Sequence, residues 1–159
     1  MPRLSSFIIS IKSWNPFIIN QNCYNIFNRT IEENGLKKAA PADGKGVITF
    51  SPLAQGLLTN RYLNGIPTDS RVAKNVGFLQ KKDITDERLA QILALNEIAK
   101  DRGQTLAQLA LSWILKDNDI TSVLIGASRP SQITDCVKCI ENTSFTKEEL
   151  EKINQISNS

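Results

Sequence analysis

The sequence predicts an α/β fold in which helices cover a parallel β-sheet. Three short apolar runs, FIIN (17–20), VITF (47–50) and TSVLI (121–125), lack the polar–apolar alternation of half-exposed strands, which is typical of strands buried on both faces. Helical patterns lie between and after these runs, and alternation of strand and helix implies parallel strands. With 159 residues, 41% of them hydrophobic, the chain is expected to form one domain with its own core.

The helices before the third strand are predicted from local signals. A weak candidate over 28–40 is interrupted at Asn34-Gly35. A stronger one runs from Thr85 to Asp101, because acidic residues occupy its first turn and Gly103 follows its end. Its apolar stripe is formed by Leu89, Ile92, Leu93 and Ile98.

The remaining helices have clearer signatures. Apolar residues at i, i+3, i+4, i+7 and i+8 predict an amphipathic helix over 106–116, with Trp113 in its core face. Pro130 is typical of a first helical position, and Thr146 with Glu149 predicts a capping box at the start of the last helix. The connection over 60–84 is rich in Gly, Pro, Asp and Lys, and a loop of this length is usually functional or disordered.

Composition excludes several classes of function. A net charge of +3 is too small to indicate nucleic-acid binding, and no run of 18 apolar residues indicates a membrane-spanning helix. The absence of histidine removes the commonest general base and metal ligand. Three cysteines do not form a disulfide framework, and residues 1–15 lack a signal-peptide cleavage site, so a cytoplasmic location is expected.

Polar residues and glycines follow each predicted strand. Ligands of parallel α/β folds bind beyond the carboxyl ends of the strands, so these residues are expected to share one face. The last group also begins a helix, where free N–H groups favour a phosphate. Together with the arginines, this pattern indicates a polyphosphate ligand such as a dinucleotide. The groups are Gln21, Asn22 and Tyr24; Ser51, Leu53 and Gly56; and Gly126, Ser128 and Arg129.

Four segments resemble the aldo-keto reductases, in particular the branch of glyceraldehyde 3-phosphate reductases and potassium-channel β subunits. They are PFIINQNCYNIFNRTIEENGL (16–36), VITFSPLAQGLLTNRYLNGIPTDSR (47–71), AQLALSWILKD (107–117) and TSVLIGASRPSQI (121–133). The resemblance implies an oxidoreductase that reduces aldehydes or ketones with NADPH, on a (β/α)8 TIM barrel. Glyceraldehyde 3-phosphate or methylglyoxal-like compounds are the implied substrates.

The resemblance also assigns roles around the nicotinamide and the pyrophosphate of NADPH. Gln21 takes the place of the glutamine that holds the nicotinamide carboxamide, and Phe50 that of the aromatic residue beside the nicotinamide ring. The residues that resemble the pyrophosphate loop are Ser51, Pro52, Leu53 and Gln55.

Further positions match the lid and the adenosine end of the cofactor site. Arg61 and Arg71 match basic positions of the loop that folds over NADPH. Asp135 matches an acidic position near the adenine, whereas Cys136 departs from the asparagine usual in the family. The residues that fall where the adenosine 2′-phosphate is held are Gly126, Ser128 and Gln132.

A complete barrel of this type has about 250 residues, so the resemblance implies that residues 16–159 are its C-terminal half and that 1–15 form an atypical lead-in. The catalytic Asp, Tyr, Lys and His of the family match nothing here. Neither Tyr24 nor Tyr62 is expected to act as the general acid, and no matching Lys–Asp pair is expected to activate Tyr24. We therefore expect no reductase activity from this chain alone. The alternative is a non-catalytic module: a half-barrel that pairs with a second copy or a complementary half, or a nucleotide-sensing regulatory subunit.

Plain structural interpretations remain open for the individual residues. Gln21 is equally typical of a turn, Ser128 to Pro130 of an ordinary helix start, and the loop arginines of solvated charges. Cys136 and Cys139 form a C-x-x-C inside a predicted helix rather than at its beginning, and further metal ligands are lacking, so half-buried thiols are expected.

Overall fold

A computed structural model of the protein describes residues 18–63, 65 and 84–158. It contains a three-stranded parallel sheet, formed by β1 (Ile19–Cys23), β2 (Gly46–Phe50) and β3 (Ser122–Val123), in the order β1-β2-β3. The predicted parallel α/β fold is confirmed. The sheet that residues 18–63 and 84–158 form is open and does not close into a barrel. The predicted lead-in 1–15, Phe17 and Arg71 lie outside the described residues.

Six α-helices lie within the described residues. They are α1 (Thr30–Glu33), α2 (Leu36–Ala42), α3 (Asp86–Asp101), α4 (Leu106–Leu115), α5 (Pro130–Val137) and α6 (Lys147–Asn158). Short 3-10 turns occupy Ala54–Gly56, Asn60–Tyr62 and Lys138–Glu141.

The local start and stop signals of the helices are confirmed. The break at Asn34-Gly35 separates α1 from α2, and Gly35 has a positive φ of 78°, which glycine adopts without strain. The Thr146 hydroxyl accepts from the Glu149 N–H at 3.2 Å, and the Glu149 carboxylate accepts from the Thr146 N–H at 2.7 Å, which completes the predicted capping box of α6.

The strand ends differ from the prediction. β1 was expected over 17–20 but extends to Cys23, because its residues 19–23 pair one by one with Gly46–Phe50 of β2. Gln21 and Asn22 therefore lie inside β1 rather than after it. β3 has two residues instead of the expected five, because only Ser122 and Val123 find partners in β2.

The core lies on one face of the sheet. Val47 and Thr49 of β2 are fully buried there beneath the helices, together with Trp113 of α4 and Ile92 of α3. Leu93, expected in the apolar stripe of α3, is instead 47% exposed. The helix layer therefore supplies most of the buried apolar surface.

The opposite face of the sheet is open. Side chains alternate along a strand, so Ile19, Phe50 and Leu124 all point away from the helices, and they are 49%, 40% and 42% exposed. In a closed parallel barrel this face would be the packed interior. The chain thus presents a concentration of exposed apolar residues on one side of its sheet.

Candidate cofactor site

The first part of the candidate site lies at the carboxyl end of β1 and β2. Gln21 and Phe50 share the open face of the sheet, because Gln21 pairs with Ile48 and Cys23 with Phe50. Gln21 is exposed and Phe50 is 40% exposed, so the amide and the ring are accessible from the same side. The structure brings these two predicted residues onto one surface.

The loop that follows β2 has an unusual backbone. Ser51, Ala54 and Gln55 adopt positive φ angles of 53°, 46° and 58°. Left-handed conformations cost non-glycine residues about 1–2 kcal/mol each, and such outliers concentrate at functional sites. The loop is anchored at its far end by Leu57 and Leu58, which are 6% and 0% exposed.

A residue that sequence reasoning missed supports this loop. Asn25 is 3% exposed, and its Nδ2 donates to the Ser51 carbonyl at 2.9 Å. Its Oδ1 accepts from the Phe27 N–H at 3.0 Å. Asparagine is a frequent turn residue, so the sequence offers no sign of this contact with a residue 26 positions away.

The second part of the site is the connection from β3 to α5. Leu53 of the first loop packs in the same small apolar cluster as Val123 and Ile125, which lead into Gly126. Both loops therefore contribute a side chain to the packing around the same small cluster. Gly126, Ser128 and Gln132 are all exposed there.

The free N–H groups at the start of α5 are hydrogen-bonded by a side chain of the same helix, that of Gln132. The Gln132 Oε1 accepts from the Ser128 N–H at 2.8 Å, the Arg129 N–H at 3.1 Å and the Ser128 hydroxyl at 3.2 Å. These N–H groups are the donors that a phosphate would use at a helix start. An anion at this position would therefore replace the Gln132 amide oxygen.

Asp135 points towards α4. The Gln108 Nε2 donates to its carboxylate at 2.7 Å and to its backbone carbonyl at 3.0 Å, and the Thr105 hydroxyl donates to the carboxylate at 3.2 Å. Thr105 and Gln108 also form the capping box of α4. Asp135 thus joins the last turn of α5 to the start of α4, a structural role that the sequence did not indicate.

Arg61 lies in the 3-10 turn that leaves the first loop. Its side chain is exposed, and its backbone N–H donates to the Thr59 hydroxyl at 3.3 Å. Tyr62, in the same turn, is 3% exposed and anchors the turn in the core. Arg61 is therefore placed near the end of the Ser51–Gly56 loop, whereas Arg71, its predicted partner, lies outside the described residues.

A buried cluster of charges lies behind β1, on the helix side. Tyr24 is fully buried, its hydroxyl donates to the Glu32 carboxylate, and the Lys116 Nζ donates to the same hydroxyl at 3.3 Å. Lys37 is ion-paired with Asp117 and lies 3.6 Å from Glu32. We call Tyr24, Glu32, Lys37, Lys116 and Asp117 the ion cluster.

The sequence predicts no Lys–Asp pair that activates Tyr24; Lys116 and Glu32 do contact its hydroxyl, yet Tyr24 is not suited to be a general acid. Burial raises its pKa, and the hydrogen bond to Glu32 and the charges of Glu32 and Asp117 raise it further. Burial likewise lowers the pKa of Lys116 to about 8. Since Tyr24 is closed off from the open face of the sheet, the ion cluster serves to join helices.

Two of the three thiols are buried. Cys136 and Cys139 are 8% and 5% exposed, and burial raises the pKa of both thiols. No cluster of three or more His, Cys, Asp or Glu side chains suited to a metal occurs among the described residues. No helix in the described part of the chain is long and apolar enough to cross a membrane.

Comparison with known proteins decides the family. The model of the aldo/keto reductase family matches residues 6–158. The chain belongs to this family. It is 45% identical over 157 residues to an L-glyceraldehyde 3-phosphate reductase of Escherichia coli, an alignment that covers 96% of this chain and 45% of the relative. It is 38% identical to a probable voltage-gated potassium channel subunit beta of Arabidopsis thaliana, with 87% of this chain and 43% of that protein covered.

Solved structures of aldo-keto reductases share the fold. A glycerol dehydrogenase from Gluconobacter oxydans superposes with a TM-score of 0.71 at 27% identity, covering 89% of this chain and 42% of the other. An aldo-keto reductase from Bacillus halodurans in its holo form superposes with a TM-score of 0.68 at 24% identity. The match covers 94% of this chain and 46% of the other. The chain thus spans less than half the length of these aldo-keto reductases.

Proposed function

We propose that this chain carries the NADPH-binding half of an aldo-keto reductase that reduces aldehydes or ketones. The observation that carries the proposal is that Leu53, Val123 and Ile125 all pack against one small buried cluster. This shared packing supports an arrangement in which the Ser51–Gly56 loop and the Gly126–Gln132 helix start, both suited to phosphates, lie in the same region at the carboxyl ends of the strands. The identity to an L-glyceraldehyde 3-phosphate reductase supports a sugar-phosphate or small-aldehyde substrate.

NADPH, when bound, supplies the hydride that reduces the carbonyl. In the proposed arrangement the exposed Gln21 amide holds the carboxamide of the nicotinamide, and the accessible Phe50 ring covers the nicotinamide itself. Arg61 and Arg71 balance the charge of the pyrophosphate. The loop residues that hold the pyrophosphate are Ser51, Pro52, Leu53 and Gln55.

The start of α5 fits the 2′-phosphate of NADPH. Gly126, Ser128 and Gln132 are exposed, and the two N–H groups now bonded to Gln132 Oε1 are suited to an anion. The Asp135 carboxylate already accepts hydrogen bonds from Thr105 and Gln108, which hold it against α4. We therefore assign Asp135 mainly to fixing the orientation of α5 beneath the adenosine end.

The adenosine end can be tested by cofactor discrimination. Arg129 is exposed at the start of α5, and loss of one charge-assisted contact to a phosphate should weaken NADPH binding about tenfold in Arg129→Met. Binding of NADH, which lacks this phosphate, should be unchanged. Lys138→Met removes an equal charge at the other end of α5 and is the control. Equal affinities of the wild-type chain for NADPH and NADH would contradict the 2′-phosphate site.

We further propose that these 159 residues do not catalyse reduction on their own. The tyrosine that lies beside a lysine, Tyr24, is fully buried and its pKa is raised, so it cannot protonate a carbonyl at the open face. The test is NADPH oxidation by the purified chain with DL-glyceraldehyde or methylglyoxal. Turnover above the protein-free rate would refute this part of the proposal.

The open sheet face supports a partner. Parallel sheets are normally covered on both faces, and Phe50 and Leu124 are 40% and 42% exposed here. The aldo-keto reductases to which the chain is similar are more than twice the length that it covers. We propose that the occupant of this face is a complementary half-barrel of the same family.

Sedimentation velocity tests the partner. The chain is mixed with the N-terminal half of the Escherichia coli relative, and a one-to-one complex is expected. Leu124→Asp on the open face should abolish the complex, whereas Leu93→Asp, at a similarly exposed position of α3, should not. A homodimer that excludes the added half would instead identify a second copy as the occupant, and a compact monomer under all conditions would refute assembly through this face.

A second candidate is a nucleotide-sensing regulatory subunit without turnover. The similarity to a probable potassium channel subunit beta favours it. NADPH binding in the absence of reductase activity, even when the complementary half is present, would favour this candidate over the enzyme half.

A further inference from the structure

We propose that Asn25 is a positioning residue, whose buried amide sets the conformation of the Ser51–Gly56 loop for binding the cofactor. This inference rests on the proposed function of that loop. Asn25 lies just after β1 and does not reach the open face, since it is 3% exposed. It acts through Ser51 rather than on the cofactor.

The orientation of the Asn25 amide is fixed by its neighbours. On one side the Phe27 N–H is a donor, 3.0 Å from Oδ1; on the other the Ser51 carbonyl is an acceptor, 2.9 Å from Nδ2. Only one orientation of the amide satisfies both groups. The Asn25 backbone is also held, because its N–H and C=O both exchange hydrogen bonds with Asn28 at 3.1 Å.

Ser51 is the residue that needs this support. Its φ of 53° is left-handed, a conformation that a serine does not favour. Its carbonyl accepts from the Asn25 Nδ2 at 2.9 Å and from the Ala54 N–H at 3.0 Å, so both lone pairs are used. Without Asn25, the Ala54 contact alone would have to maintain the turn.

The contact also joins the two segments that form the first part of the candidate site, β1 and the loop after β2. Beyond the paired residues of β1 and β2, the strands are linked by the Tyr24 N–H to the Phe50 carbonyl at 3.4 Å, a long hydrogen bond. The shorter Asn25–Ser51 bond is therefore the stronger link between β1, which carries Gln21, and the loop. Loss of the link should disturb the pyrophosphate end without disturbing the start of α5.

Two substitutions separate this role from general stability. Asn25→Asp at pH 8 keeps the acceptor for Phe27 and loses the donor to Ser51, and Asn25→Ala loses both. Ser112→Ala is the matched control. Ser112 is equally buried and its hydroxyl donates to the Cys139 carbonyl at 2.9 Å, in a different part of the core.

The measurements are hydrogen–deuterium exchange of the 51–58 amides and affinities for NADPH and for adenosine 2′,5′-bisphosphate, which lacks the nicotinamide and the pyrophosphate. Both Asn25 variants should exchange these amides about tenfold faster and bind NADPH about tenfold more weakly, as expected for loss of the buried hydrogen bond to Ser51 that the two variants share. Affinity for the bisphosphate should change less than twofold. Ser112→Ala should lower the melting temperature without either effect.

Unchanged exchange of the loop in both Asn25 variants would overturn the positioning role. Equal loss of affinity for the two ligands would also overturn it, because the effect would then be general destabilisation. If the wild-type chain binds no NADPH but loses loop protection in the variants, the proposed cofactor site fails while the Asn25–Ser51 link itself stands.

Discussion

Lys116 in the ion cluster should make the stability of the chain depend on pH in a defined direction. Burial is the main cause that lowers its pKa from 10.5 to about 8, and the nearby charge of Lys37 adds to the effect. Asp117 and Glu32 oppose it at 3.8 Å and 3.7 Å but do not compensate. The ammonium is therefore less favourable in the folded chain than in water.

The sign follows from proton binding. Between pH 8 and 10.5 the unfolded chain keeps the proton on Lys116 while the folded chain releases it, so stability rises with pH in this window. The full shift corresponds to about 3 kcal/mol. From pH 8 to 9.5 we expect a gain of about 1.5 kcal/mol from this group. The pKa of Tyr24 is raised, so its contribution has the opposite sign and begins above its ordinary pKa.

The assay compares Lys116→Met with the wild type by urea unfolding at pH 8 and pH 9.5. Titration of the three cysteines and of Tyr24 affects both proteins, so the difference between their slopes isolates Lys116. The methionine variant should lack the gain of about 1.5 kcal/mol. Lys100→Met is the control, because Lys100 is 62% exposed and pairs with Glu97 on the surface. Equal pH dependence of wild type and Lys116→Met would refute the reasoning.

Three further substitutions test the packing. Arg102→Ala should lower the free energy of unfolding in urea by about 3–5 kcal/mol, since the nearly buried guanidinium pairs with Glu149 at 2.9 Å. The control Lys100→Ala should change it by no more than about 0.5 kcal/mol, and similar losses in the two variants would contradict the buried pair. Gly56→Ala should cost about 1–2 kcal/mol, because φ is +99°, and an unchanged melting temperature would argue against this backbone. Trp113→Ala should cost about 3–5 kcal/mol, given 1% exposure; a loss below 1 kcal/mol would contradict its place in the core.

Helix boundaries were predictable because their causes are local. The capping box of Thr146 and Glu149 spans three residues, and the break at Gly35 depends on that residue's own backbone freedom. Such signals are complete within a short window of sequence. Both of these predicted helix boundaries are confirmed.

Strand ends depend on partners, and there the sequence was misleading. Gln21 and Asn22 have the composition of a turn, yet they belong to β1 because β2 offers paired backbone groups as far as Phe50. Gln21 was therefore predicted to follow β1, whereas it lies within the strand. Pairing over a separation of 27 residues is invisible to local patterns.

Long-range side-chain contacts explain what was missed at the candidate site. The rule on carboxyl ends of strands predicts that the two loops share one region, and Leu53 and Val123 do pack against the same small cluster. The Asn25–Ser51 bond spans 26 residues and the Thr105–Asp135 bond 30. Neither pair has a sequence signature, since each residue is also common in turns and helix starts.

The distribution of the core indicates that folding of this chain and closure of a barrel are separable. The main buried cluster takes Val47 from the helix side of β2 and includes none of Ile19, Phe50 and Leu124 from the open face. The apolar contacts that hold the sheet to α3 and α4 therefore do not depend on what covers the other side. Leu124→Asp should consequently leave the free energy of unfolding within about 0.5 kcal/mol of the wild-type value, as for a surface position. The same substitution should prevent assembly. A large loss of stability in the isolated chain would show that the open face is already covered.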